Sequence, residues 1–492
     1  MKGAEWIQNG MAMSIEETNF HVLDLQRRMP FHFGDVEVTH DPQVFLEITA
    51  DVGGVTQRGL AMGGLNSSWF HKDPAMSPEE GFRTMIEAFR SAAATATALA
   101  PAPTPFALWW ALYDRQNEWA DTTDHPALLV NYGVSMVEQA LVDAFCRAEG
   151  VTFGDAVRDN RLGIDLGAVY DDLDGTEPAD HLPDEPLTET AIRHTVGQTD
   201  PLTVADLNEA ERLEDGLPQT LAEYVREDGV DHFKIKLSGD RERDAARLGD
   251  IQSVLADCGL EDYLCTVDAN ESYPSAEAFR RQWTAHAADP GLEAILDRVR
   301  YVEQPLTRDD AFTEETREVF TTWADAPPIV IDESDDRIDR AGRALDYGYA
   351  GTSHKNCKGV FKGVVNACLI THRNARDDGR EYVISAEDLT TVGPIELQAD
   401  FAVTATIGAP HVERNGHHYF RGLDAFPEDV QERALAAHGD LYWRHDAGFV
   451  ALDVADGTVD LTSTVGAPFG VDPLYDLKAF TPVEEWLHAT GT

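Results

Sequence analysis

The chain has 492 residues, with 88 Asp and Glu against 39 Lys and Arg and a formal net charge of −49. That charge argues against nucleic acid and anionic membranes as partners, and 43% apolar residues with 21 Phe, 9 Trp and 13 Tyr argue against disorder. An acidic surface with only eight lysines repels itself in dilute buffer and is screened at molar salt, where the Debye length falls to about 3 Å, so it reads as a globular protein of a salt-rich cytoplasm.

The opening MKGAEWIQNGMAMSIEE has no apolar run of the secretion-signal type. No stretch approaches the roughly 18 apolar residues of a membrane span. Five cysteines without a CxxC read as reduced thiols. The length allows two or three domains. Residues 34–65 alternate as strands that turn at Gly53-Gly54. PEEGFRTMIEAFRSAAATATALA, opened by Ser77-Pro78, predicts a helix, and SMVEQALVDAFCRAEG predicts another that stops at Gly150. This first part is α+β. Residues 171–190 are acidic and Pro-rich and predict a solvated loop.

Beyond residue 190 short apolar runs (HFKIKL, YLCTVDA, VRYVEQP, PIVIDES, YAGTSHK, YVISAED) alternate with amphipathic stretches. This is the pattern of βα units around a parallel sheet. Polar residues recur at the strand ends: Lys236, Asp268, Glu303, Asp332, Lys355 and Glu387. Six such units predict a modified (β/α)8-type (TIM) barrel, with chemistry at the C-terminal face of its strands. GFVALDVADGTVDL near the end predicts a hairpin with an Asp-Gly turn, packed back on the first domain. The expected division is a capping domain and linker over 1–185, a barrel over 186–425 and a C-terminal segment over 426–492.

The lysines are the most informative residues. Five of the eight fall in HFKIKLSGD and SHKNCKGVFK. Arginine stays protonated, whereas a lysine with a lowered pKa can exchange a proton. Lys234 and Lys236 are two apart on a strand and face one side. Their mutual repulsion is expected to lower their pKa values. Lys355 ends a later strand across the barrel, whereas Lys358 and Lys362 are expected to be solvated. His354 is expected to point away, and Cys357 to pack. Asp268, Glu303 and Asp332 (or Glu333) end three successive strands. Hard oxygen ligands at one barrel mouth suit Mg²⁺. Any one of them alone would equally serve as a helix N-cap, and the same holds for Glu387.

The order Lys-x-Lys, VDAN, VEQP, IDES and then Lys355 resembles the enolase superfamily, and within it the muconate-lactonizing subgroup of the mandelate racemase/muconate lactonizing enzyme family. MPFHFG at 29–34 and SMVEQALVDAFCRAEGVTFGDAV are similar to that family's capping domain and its junction with the barrel. The resemblance implies a capping domain built from the N-terminal part and the C-terminal tail. It assigns Asp268, Glu303 and Asp332 to Mg²⁺, with Mn²⁺ as an alternative. Lys236 and Lys355 become an acid/base pair, Lys234 assists them, and Glu387 and Asn270 touch substrate. The chain departs from the family where KGVFKG replaces the usual Gly-Gly, so Lys358 competes with Lys355 for the second catalytic place. ISAEDLTTVGP also lacks the Asp-x-Asp that dipeptide epimerases use.

The expected protein is a cytoplasmic, homo-oligomeric enzyme acting on a small-molecule carboxylate. Enolase-superfamily sites pair a Lys or His base with Mg²⁺ to form an ene-diolate. Such a site supports racemisation or epimerisation, cycloisomerisation or elimination. The alternatives are an acid-sugar dehydratase of the mandelate-racemase type, which uses a His–Asp pair on late strands, and a non-catalytic binding protein on the same fold.

Overall fold

The computed structural model describes residues 12–33, 36–73, 75–376 and 379–491. Most of the MKGAEWIQNGMAMSIEE opening and Gly34 of MPFHFG lie outside the described residues.

Three long antiparallel strands, β1 (Met13–Phe33), β2 (Val36–Val52) and β3 (Val55–Gly64), form the cap sheet. Gly53 and Gly54 turn β2 into β3 with φ of 60° and 90°, the two left-handed positions that a two-residue hairpin requires. β1 was not anticipated from the sequence. Its pairing with β2 slips between Ile15 and Glu17 and between Gln26 and Phe31, which breaks the two-residue alternation that marks a strand.

Helix Pro78–Leu99 starts in a capping box of Ser77 and Glu80. Helix Ala127–Glu149 ends at left-handed Gly150. Both follow the sequence reading, and helix Pro105–Ala120 joins them. Residues Leu128 to Cys146 are buried all round, because this helix lies between the cap sheet and the barrel. It approaches β3 closely at Gly59, where a Cβ would stand 2.0 Å from the Ala140 carbonyl oxygen.

The barrel has eight parallel strands: β4 (Glu189–Val196), β5 (His232–Lys236), β6 (Leu264–Asp268), β7 (Val299–Glu303), β8 (Ile329–Ile331), β9 (Gly351–His354), β10 (Val383–Ala386) and β11 (His411–Arg414). The pairing of His411–Arg414 with Ala191–His194 closes it. The six predicted strands are β5 to β10. The sequence reading missed β4, which emerges from the acidic segment, and β11, whose four residues His-Val-Glu-Arg include a single apolar one.

Two other expectations are corrected. The 171–190 segment is not solvated throughout: it forms two helical turns, Asp171–Leu173 and Pro178–Asp180, anchored by buried Leu173 and Pro178. In the C-terminal part Val450–Leu452 pairs with Tyr442–Arg444, not with the residues beyond the Asp456-Gly457 turn. Those residues, Thr458–Asp460, add antiparallel to β4 of the barrel. The last stretch does reach the cap: Thr481–Pro482 pairs with β1, and the Trp486 indole donates to Asp24 at 3.0 Å. Among the described residues no helix is long and apolar enough to cross a membrane.

Candidate active site

Parallel register sets the site. Lys236 pairs with Asp268, and Asp268 with Glu303, so the ends of β5, β6 and β7 lie side by side. β9 stands four strands from β5 in an eight-stranded ring, which carries Lys355 to the opposite wall. The Lys236 ammonium is 2.6 Å from Asp268 Oδ2 and 2.8 Å from Asn270 Oδ1. Lys355 Nζ is 2.8 Å from Glu387 Oε2 and 2.9 Å from Asp332 Oδ1. Between them Lys234 Nζ lies 2.8 Å from the carboxylates of Glu303, Glu387 and Glu413 and 3.1 Å from Asp268.

All these carboxylates are buried, not set in an open mouth. Burial costs each charge its hydration, and the opposite charges around it offset that cost. For Lys234 burial acts downward, but the carboxylates of Asp268, Glu303, Glu387 and Glu413 outweigh it and hold its pKa well above the ordinary lysine value. Lys236 is also held up, since Asp268 outweighs burial and the Lys234 charge. In Lys355 burial is overcome by Asp332 and Glu387. The expectation that Lys234 would depress Lys236 is therefore corrected: the repulsion exists, but the nearer anion is stronger. Glu303 goes the other way. Burial and the charges of Asp268 and Glu387 push its carboxyl well above the usual range.

The second lysine cluster is also corrected. Lys358 and Lys362 are both 4% exposed rather than solvated. Lys358 Nζ reaches Asp332 Oδ1 at 3.1 Å, and Lys362 Nζ reaches Asp335 Oδ1 at 2.8 Å. Lys355, not Lys358, lines the cavity over the strand ends. His354 turns to Asn356, and Cys357 packs in the apolar core. Glu333 is buried beside Asp332, which with burial raises its carboxyl to about 7. It accepts from Asn270 Nδ2 at 3.2 Å.

The cavity has a volume of about 100 Å³ and is walled by the cap as well as the barrel. Arg27, Asn66, Ser68 and Trp69 come from the cap, and Lys236, Asn270, Asp332 and Lys355 from the barrel. The Lys355 ammonium lies 5.5 Å from the Trp69 ring centroid, within cation–π range. Asn270 and Glu271 have φ of 41° and 67°, left-handed backbone of the kind that collects at functional sites. Glu271 is held there by an ion pair with Lys72 of the cap and by the Arg308 amide at 2.9 Å. A larger cavity of about 330 Å³ lies behind β11, lined by Tyr224, Arg414, His417 and Trp443. None of the lysines lines it, whereas Lys234, Lys236 and Lys355 line the smaller one.

Sequence reading missed Thr195 and Glu413, which come from the two strands it did not find, and Asn415, which directly follows β11. Thr195 Oγ1 donates to Glu413 Oε1 at 2.5 Å, and Asn415 Nδ2 donates to the same oxygen at 3.1 Å. A signal existed: Glu413 follows Glu387 at a spacing of the same βα kind. Arg27 and Trp69 left no such trace, since cap residues reach the site only through the fold.

The residues present fit a divalent cation. Oxygens of Glu303, Asp332 and Glu387 lie within 4.8 Å of one another, a hard donor set. The raised carboxyl of Glu303 marks a place where an added positive charge is favourable. Asp268, the third expected ligand, is drawn to Lys236 and Lys234. Glu387 has both oxygens taken: Oε2 by Lys234 and Lys355, Oε1 by Arg193 and Ser385.

The whole architecture has relatives among solved structures. A mandelate racemase/muconate lactonizing enzyme from Bordetella bronchiseptica RB50 superposes with a TM-score of 0.57, at 16% identity over 95% of this chain and 98% of that one. The fold is that of the mandelate racemase and muconate lactonizing enzymes. The muconate lactonizing enzyme from Pseudomonas fluorescens, complexed with muconolactone, gives a TM-score of 0.55 at 14% identity over 91% of this chain and 94% of that one. An enolase from Bradyrhizobium, complexed with magnesium and mandelic acid, gives 0.54 at 14% identity over 91% and 93%. No protein-family model and no curated protein sequence matches this chain.

Proposed function

We propose that the protein is a Mg²⁺-dependent enzyme, with Mn²⁺ as a substitute, that removes the proton α to the carboxylate of a small molecule. The observation that carries this reading is the pair Lys236 and Lys355: two ammonium groups on opposite walls of one cavity, with a floor of buried carboxylates between them. A planar enediolate between two such groups can be protonated on either face. That geometry serves racemisation or epimerisation, and equally elimination or cycloisomerisation with one lysine as electrophile. Likeness to a magnesium- and mandelate-bound enolase agrees with it. No histidine lines the cavity among the described residues, which favours lysine chemistry over the His–Asp chemistry of acid-sugar dehydratases.

Asp268, Glu303 and Asp332 would hold the metal. When bound, it supplies positive charge that stabilises the negative charge developing on the substrate carboxylate. Lys236 and Lys355 would take and return the proton at Cα. The one acting as base must first lose the proton that Asp268 or Asp332 now holds on it, which neutralisation of those carboxylates by a bound cation favours. Lys234, locked among four carboxylates, stays protonated and fixes their orientation. Glu387 balances Lys234 and Lys355. Trp69 and Arg27 of the cap close the cavity and exclude water.

The test is a screen of small carboxylates at molar salt in D₂O, read by mass spectrometry for exchange of the α-proton. Lys236→Ala and Lys355→Ala should each block net turnover. For an epimerisation each variant should keep exchange with one enantiomer only. For an elimination, only one of the two should lose exchange, and the other should lose product formation. Full turnover in both variants would refute the two-lysine reading.

A further inference from the structure

Lys358 is a buried lysine in a chain that avoids lysine, yet it does not line the cavity. Its surroundings show what it does. Nζ lies 2.5 Å from the Ser353 carbonyl oxygen, 2.9 Å from Ser353 Oγ and 3.1 Å from Asp332 Oδ1. Ser353 Oγ donates to the same Asp332 Oδ1 at 2.5 Å. Lys355 approaches that oxygen as well, at 2.9 Å. The hydrogen bonds and nearest ion pairs of the Asp332 carboxylate thus all fall on Oδ1, from Lys358 and Ser353 outside the cavity lining and from Lys355 within it. Its backbone is fixed too: the Asp332 amide donates to Gln304 Oε1 at 2.7 Å. A carboxylate held this way by one oxygen has a single χ orientation and presents the other oxygen, Oδ2, to its surroundings.

We propose that Lys358 and Ser353 are positioning residues: from behind the strand ends they clamp Asp332 by Oδ1 and so present Oδ2 to the divalent cation. This deepens the proposed function and rests on it. Outer partners of metal-binding side chains generally fix ligand orientation, and losing one costs about 10–100-fold in metal affinity. The three-residue spacing of Lys355 and Lys358 then acquires a meaning. Both lysines grip Asp332, one from the cavity and one from behind.

The test reads metal affinity rather than turnover. Mn²⁺ binding is titrated by electron paramagnetic resonance at molar salt for the full chain and for Asp332→Asn, Lys358→Met, Ser353→Ala and Ser353→Thr. The unaltered protein should bind Mn²⁺, and Asp332→Asn should lose it. Lys358→Met and Ser353→Ala should each weaken binding by about tenfold or more. Ser353→Thr keeps the hydroxyl and should stay within a few-fold. If Lys358→Met does not fold, the Ser353 pair decides. Parent-like Mn²⁺ affinity in folded Ser353→Ala, with loss in Asp332→Asn, would overturn the clamp and leave the metal reading standing. An unaltered protein that binds no Mn²⁺, or binds it equally well as Asp332→Asn, would overturn both.

Discussion

Lys234 and Lys355, from strands on opposite sides of the barrel, donate to one and the same oxygen: each Nζ lies 2.8 Å from Glu387 Oε2. Two buried ammonium groups this close would repel strongly without the anion between them. Arg193 and Ser385 hold its other oxygen at 2.8 and 2.7 Å. Despite full burial, Lys234, Lys355 and Arg193 together keep the Glu387 carboxyl well below the usual range.

Replacing Glu387 by Gln should therefore harm both stability and turnover. Removing one partner from a buried ion pair costs about 3–5 kcal/mol, because the other charge is left uncompensated. Denaturant unfolding at molar salt should show a loss of that order. A variant as stable as the parent would mean that the two lysines do not depend on this anion.

Glu303 should behave in the opposite sense. Burial and its acidic neighbours disfavour its ionised form, so the neutral isostere Glu303→Gln should leave the melting temperature in EDTA unchanged or higher. Mn²⁺ affinity should fall by more than the roughly 10–100-fold of a lost outer partner. Calorimetric melts and metal titration on the same preparations check both halves.

Glu138 makes a pH prediction away from the site. It sits on the central cap helix and accepts the amides of Val360 and Phe361 at the start of a barrel helix. Burial raises its carboxyl to about 8, with those two amides acting downward. The folded state thus holds a proton that the unfolded state releases near the ordinary value of 4.5. Stability from this group is full below that value and is lost as pH rises to about 8, with a slope of about 1.4 kcal/mol per pH unit. Glu138→Gln should remove that slope, so the stability difference between variant and parent should grow in the variant's favour from pH 6 to 8. Parallel curves would contradict it.

Salt should be required for the fold. At −49 formal charge the surface repels itself unless the Debye length is short. The melting temperature should climb steeply between roughly 0.1 M and 3 M KCl. Equal values at the two concentrations would show that packing alone suffices.

Much of the site was legible in the sequence because a barrel repeats. Each βα unit returns the chain to the same face, so polar residues at strand ends gather there whatever the helices contain. Lys234, Lys236, Asp268, Glu303, Asp332 and Lys355 could be placed by that regularity, as could six of the eight strands. β4 and β11 could not, because one emerges from an acidic loop and the other, His-Val-Glu-Arg, has a single apolar residue, and Thr195 was hidden with the first. Only the tertiary structure decided the electrostatics. Two lysines on one strand suggested mutual depression of their pKa values, but the carboxylates facing them come from strands far away in sequence and lie closer than the lysines' own repulsion can offset. The same holds for burial: Lys358 and Lys362 have the pattern of an exposed loop and helix start, and only the packing of helix Ala127–Glu149 against that turn encloses them. Spacing along the chain determines which residues end strands, while the charge each one carries depends on neighbours that only folding brings within 3 Å.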